Sequence, residues 1–162
     1  MNKFIPILLW SLPVCLCLHV IEEFIFPGGF IHWYHKYRPK FSGVKPSYYY
    51  KVNAVYIAAS FFLAKTTTGK DGYRAFLIVW GFLSCNALIT HVRGAIVTKH
   101  YSPGMITGIF LYLPLTIVSY SIILATNTLD IYSVLVCAAI SPLLEVLFAK
   151  KPGSGSKTNI KI

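Results

Sequence analysis

Charge is what this sequence has least of. Only 12% of its 162 residues are charged and five are acidic, where a soluble domain carries about twice that charged fraction. With 56% of residues hydrophobic, too little charge remains to coat a water-exposed surface, and an ordinary soluble fold is excluded. Cysteine is also scarce and unpatterned. Cys15, Cys17, Cys85 and Cys137 all lie inside apolar runs, with neither zinc-knuckle spacing nor a secreted disulfide framework, so they read as packing thiols. No small-x-small cleavage site follows the N-terminal "FIPILLWSLPVCLCL", and "LPVC" lacks the small residue that precedes a lipoprotein cysteine. That segment is therefore read as a mature helix. No internal repeat is visible. Nor is there one basic face: the fifteen Lys and Arg residues flank apolar runs, so the net charge of +10 speaks of membrane topology rather than nucleic acid.

What the chain does have is apolar runs of bilayer length, about 20 residues each. They predict an all-α polytopic membrane helix bundle over residues 1–149, followed by a basic flexible tail at 150–162. Five spans are expected: Phe4 to Ile25, Tyr50 to Ala64, Tyr73 to Val97, Pro103 to Ala125 and Leu129 to Ala149. Between the first two, "FPGGFIHWYHKYRPKFSGVKPSYYY" mixes aromatic and basic residues with Gly and Pro, the composition of a segment lying in the membrane interface. With five spans, eleven cations fall on one side and Lys3, Lys65, Lys70 and Arg74 on the other. The positive-inside rule then predicts an N-terminus outside and a C-terminus in the cytoplasm, in a bacterial inner membrane or its equivalent.

Against that background "CLHVIEEFIF", residues 17–26, is out of place, because it sets His19, Glu22 and Glu23 near the end of an apolar span. An acidic residue near the centre of a spanning helix costs roughly 2.5–3.5 kcal/mol. With the predicted topology, polar residues from every span reach the same cytoplasmic half: His19 to Glu23, Asn53, Asn86 and His91, Thr107, and Glu145. At about 100° per residue, His19, Glu22 and Glu23 can border one face. Asn86 and His91 stand about 140° apart by the same arithmetic, so both can reach one site only if the helix is distorted or the site is wide. Glu145, a turn from its span's end, is expected to extend to the cytoplasmic surface beside Lys150 or Lys151.

Two imidazoles and a carboxylate are the donor set of non-haem iron and also suit zinc. His19, Glu23 and His91 are the expected metal ligands, with iron or zinc as the cofactor. Glu22 and Glu23 are expected to move protons, with Asn86, Arg93 and Tyr101 as further catalytic candidates. In "KHYSPGMIT", residues 99–107, Ser102 and Pro103 look like an N-cap and first helical residue. Amides there, with Asn53, Pro103, Gly104 and Thr107, are expected to seat a polar headgroup or carboxylate.

"HVIEE" at 19–23, a later histidine at 91 and "YSPG" at 101–104 together resemble the HXXEE-motif family of small integral membrane proteins, over about the first 110 residues. The resemblance implies that His19, Glu22, Glu23, His91, Tyr101, Pro103 and Gly104 are the family's motif residues. It implies no activity, the family's function being unassigned. Residues and resemblance together point to a membrane-embedded, metal-dependent enzyme acting on a lipophilic small molecule or membrane lipid, with a homo-oligomer compatible. The alternatives are an acid/base enzyme without metal, a metal-ion or proton transporter and a non-catalytic assembly subunit.

Overall fold

The computed structural model describes residues 4–150, the side chains of 148–150 excepted; residue 150 of the predicted tail ends a helix and the rest of that tail lies outside the described residues. Six longer helices, a short 3-10 turn at Pro39–Phe41 and no strand occur among the described residues. They are α1 (Phe4–Phe24), α2 (Phe30–Tyr37), α3 (Pro46–Thr66), α4 (Gly69–Thr98), α5 (Met105–Ala125) and α6 (Ile131–Lys150). Three of them, α1, α4 and α5, are long and apolar enough to cross a membrane. The five predicted spans reduce to three on that test, because α3 is interrupted by Lys51, Asn53 and several tyrosines, and the apolar stretch of α6, Ile131–Leu147, is shorter.

Local chemistry sets the boundaries. The chain leaves α1 through a cis Phe26–Pro27 bond and through Gly28 and Gly29, both at positive φ. Pro46 opens α3, where its missing N–H costs nothing. Asp130 accepts the Ser133 N–H and hydroxyl, each at 2.9 Å, at the start of α6. The helix predicted from Pro103 begins at Met105 instead. Gly104 adopts φ +97°, a left-handed conformation that ends the loop. Ser102 does not cap α5 with its side chain, which turns to His91.

Helix α4 is the centre of the bundle, packed against α5 and α6, while α1 packs on α3. Leu12, Phe76, Leu77, Trp80, Tyr112 and Ile123 form the most buried part of its core. Contact is close where side chains are small. A Cβ on Gly81 would lie 2.3 Å from Ser141 Oγ, and one on Gly108 would lie 2.7 Å from the Ala87 Cβ.

Both α4 and α5 depart from α-geometry in mid-course. Residues Ala87–Val92 and Gly108–Tyr112 form π-helical segments, and these meet at the Ala87–Gly108 contact. A π-helical residue turns less than an α-helical one. The segment in α4 lies between Asn86 and His91 and brings the two toward a common face. This is the distortion that the 140° separation required.

Candidate metal centre

The i, i+4 spacing of His19 and Glu23 sets both on one face of α1. His91 comes from the π segment of α4. The His19 and His91 Nε2 atoms each lie 3.5 Å from Glu23 Oε1, and the three ligand atoms all fall within 4.8 Å of one another. All three side chains are buried. A tetrahedral ion with bonds near 2.1 Å has ligand-to-ligand edges of about 3.4 Å; the two contacts to Glu23 match that edge, and the histidine pair would have to draw together if its separation is near the 4.8 Å bound.

The surrounding hydrogen bonds decide which nitrogens face inward. The Thr107 hydroxyl donates to Glu22 Oε2 at 2.6 Å. Its oxygen is then left to accept from His19 Nδ1, 2.8 Å away. A neutral His19 therefore carries its proton on Nδ1 and turns the Nε2 lone pair toward Glu23. His91 Nδ1 lies 3.0 Å from Ser102 Oγ, a bond that either atom can donate, and its Nε2 faces the same carboxylate oxygen. With the proton on His91 Nδ1, three electron-pair donors converge, and a cation among them would relieve both contacts.

The two glutamates have different surroundings. Glu22 Oε1 accepts from the Tyr101 hydroxyl in a short hydrogen bond, from Gly104 N at 2.9 Å and from Ile106 N at 3.0 Å. Its Oε2 accepts from Thr107 N at 2.7 Å and from the Thr107 hydroxyl. Glu22 thereby fills the N-terminus of α5, where amides and the helix dipole favour an anion. The headgroup seat expected there is taken by this chain's own carboxylate. Tyr101 lies in the loop between spans. Burial first, and then the bond to Glu22, raise its phenol above the ordinary range, which keeps it a donor.

Gly104 is required by contact as well as by conformation. A Cβ there would lie 2.5 Å from His91 Cε1 and 2.8 Å from His19 Cε1. Both imidazoles pack directly on its backbone.

A cavity of about 170 Å³ opens beside the triad. His19, Glu23 and His91 line it, together with Asn53, Asn86, Thr90, Arg38 and Glu145 and an aromatic wall that includes Phe30, Tyr34, Tyr49 and Phe82. Of the expected site residues, Glu23, Asn53 and Asn86 therefore join the two histidines along it. Glu22, Arg93, Tyr101, Pro103, Gly104 and Thr107 do not line it. Gly104 and Thr107 stand behind the histidines, and Arg93 is exposed on the far side of α4.

Glu145 corrects the expectation that it extends to the surface. It is buried and accepts from the Thr90 hydroxyl at 3.1 Å and from the Asn86 amide at 3.4 Å. The close Gly81–Ser141 crossing holds α6 near enough to α4 for this.

The aromatic segment, expected to lie in the membrane interface, packs on the site. Trp33 stacks on His91 with planes 10° apart, and Phe30 is 5.8 Å from the same ring. Helix α2 covers the site, seated where a Gly94 Cβ would lie 2.6 Å from the Trp33 ring. The spacing of Phe30, Trp33, Tyr34 and Tyr37 is the i, i+3, i+4, i+7 pattern of a buried helical stripe, a signal that could have revealed this cover.

A family model described as "Protein of unknown function with HXXEE motif" matches residues 10–119. The chain belongs to the HXXEE family. In it the motif's histidine and second glutamate face His91, while the first glutamate caps α5. The HXXEE match ends before α6, so Glu145 lies outside the matched region. No curated protein and no solved structure matches the chain.

Proposed function

We propose that this HXXEE protein is a membrane-embedded, metal-dependent enzyme that acts on a lipophilic small molecule entering from the cytoplasmic leaflet. The observation that carries this is the convergence of His19 Nε2, His91 Nε2 and Glu23 Oε1 on the wall of a largely aromatic cavity. Mobile charge would be costly there, and a fixed divalent ion makes the three donors compatible. The reading takes α3 and α6 as further spans, making five, with the N-terminus outside and the C-terminus in the cytoplasm. Bound zinc would polarise a substrate oxygen or activate a water, and iron would supply oxidation chemistry. Glu145, held by Thr90 and Asn86 on the same cavity wall, would exchange the proton that either chemistry requires.

The alternative of transport is less well supported. Beyond the triad, toward the N-terminal end of α1, the buried side chains of α1 and the facing part of α4 include the apolar Leu8, Leu12, Phe76 and Leu77. A conducting path would need polar groups at those positions. A purely structural lock is also disfavoured, since a buried ionic cluster contributes little net stability.

The test is elemental analysis of detergent-purified protein, wild type beside His19→Ala, Glu23→Gln and His91→Ala. Close to one equivalent of iron or zinc is expected in wild type, and little in the variants. No metal in wild type after reconstitution with iron, zinc and manganese would overturn the proposal.

A further inference from the structure

The size and lining of the cavity beside the triad restrict what can enter it. Its volume is about 170 Å³, and an apolar cavity of about 150 Å³ holds a single benzene. One six-membered ring therefore fits, whereas a fused ring system or a folded acyl chain does not. Seven aromatic side chains line the space against three aliphatic ones, Leu16, Val52 and Leu83. These rings brace one another. Phe30 and Tyr34 stack at 5.1 Å with planes 23° apart, and Phe41 and Tyr49 pack on Tyr34 at 5.4 and 5.9 Å. A wall braced in this way keeps its flat faces in place, which favours a planar aromatic guest over a puckered one.

Besides the triad, the wall carries the buried Glu145 carboxyl, fixed by the Thr90 hydroxyl and the Asn86 amide. A hydroxyl group both donates and accepts, so it can pair with this carboxyl in either protonation state. The mouth of the cavity lies where α3 and α4 part, because α3 packs chiefly on α1 and meets α4 lightly. Half-buried Val52, Asn53 and Tyr56 stand on one side of it and half-buried Phe82 and Asn86 on the other. The Tyr56 and Phe82 rings approach to 6.2 Å across it. In the five-span reading both helices cross the membrane, so a group attached to the ring leaves among lipid chains.

We propose that the cavity binds one hydroxylated aromatic ring bearing an aliphatic tail, a phenolic amphiphile. The inference rests on the functional reading above, whose substrate class it names. The ring lies among Phe30, Tyr34 and Tyr49, its hydroxyl pairs with Glu145, and the tail leaves between α3 and α4.

The experiment is isothermal titration calorimetry of the full-length protein in detergent, after chelation and again after zinc loading, with metal content measured in each sample. The probes share one tail: para-hexylphenol, hexylbenzene, hexylcyclohexanol and hexylnaphthol, each corrected for partitioning into protein-free micelles. The phenol is expected to bind the chelated protein about tenfold more tightly than hexylbenzene, the worth of one buried hydrogen bond. Its advantage over hexylcyclohexanol and hexylnaphthol should be about threefold or more. Glu145→Leu should lose most of the preference for the phenol while still binding hexylbenzene, which shows that the variant is folded. Val52→Trp should fill the mouth and weaken every probe without lowering metal content. Equal binding of the phenol and hexylbenzene, or a preference unchanged in Glu145→Leu, would overturn the pairing with Glu145. Hexylcyclohexanol or hexylnaphthol bound as tightly as the phenol would overturn the single aromatic ring. Phenol selectivity in a wild type that takes up no metal would support the cavity assignment and defeat the metal reading. Metal uptake without phenol selectivity would do the reverse.

Discussion

The two adjacent glutamates should differ in what they contribute to stability. Glu22→Gln exchanges one carboxylate oxygen for an amide that can only donate. Oε1 accepts three hydrogen bonds and Oε2 two. If the amide replaces Oε2, the Thr107 N–H at 2.7 Å meets another donor. Losing two hydrogen bonds to a charged group costs roughly 1.5–3 kcal/mol each. Relief of the buried charge returns part of this, leaving a net loss of about 2–4 kcal/mol. For a chain of this length that is a fall of roughly 4–16 °C in midpoint. Glu23→Gln removes only 3.5 Å contacts to two nitrogens, and its amide can donate to either lone pair. The chelator-treated protein should keep its stability to within about 1 kcal/mol. Metal uptake should fall in both variants. In Glu22→Gln the Thr107 hydroxyl, released from Oε2, is free to donate to His19 Nδ1, which moves the imidazole proton onto the ligating nitrogen. The assay is thermal unfolding in detergent with chelator, alongside metal analysis. Equal midpoints for the two variants would refute the division of roles.

Gly104→Ala should abolish metal uptake, because its methyl would displace both imidazoles. It should also destabilise by about 1–3 kcal/mol through backbone strain. Gly29→Ala, at φ +85° with nothing near the added carbon, is the control: it should cost stability alone, as metal analysis and unfolding would show. Asp130 is held below the usual carboxylate range by the Ser133 N–H and hydroxyl. Its folded value lies below its unfolded one, so its cap stabilises above about pH 4 and is lost as pH falls through the folded value. Asp130→Asn should flatten the acid limb of an unfolding-versus-pH curve while leaving neutral stability nearly unchanged.

Much of the site was legible from depth alone. His19 and Glu23 follow from spacing within one helix, and His91 from matching its level in a second. The different roles of Glu22 and Glu23 were not legible. Both border the same face as His19, and what separates them is the start of α5, far along the chain. Nor does any residue pattern announce an i→i+5 segment, so the geometry that brings His91 and Asn86 together had to be seen. For Glu145, nearness to a helix end suggests water, and the structure buries it instead. The donors that turn it inward, Thr90 and Asn86, sit on another helix and are reached only because Gly81 lets α6 approach. The cover of α2 was hidden by composition: aromatic and basic residues in a short segment suit an interface and a lid equally well.

The bond between Glu22 and α5 also has a consequence in time. The Gly104 amide that Glu22 accepts is 82 residues further along the chain. At a synthesis rate of about 5–20 residues per second, α1 exists for roughly 4–16 s before that amide is made. Throughout that interval the acidic end of α1 has no partner from α5, and a bilayer interior would tax both carboxylates. The nascent helix must wait with this end at the headgroup level, among water and cations. Its final seating is therefore a late event of biogenesis, set by the arrival of α5 rather than by the insertion of α1.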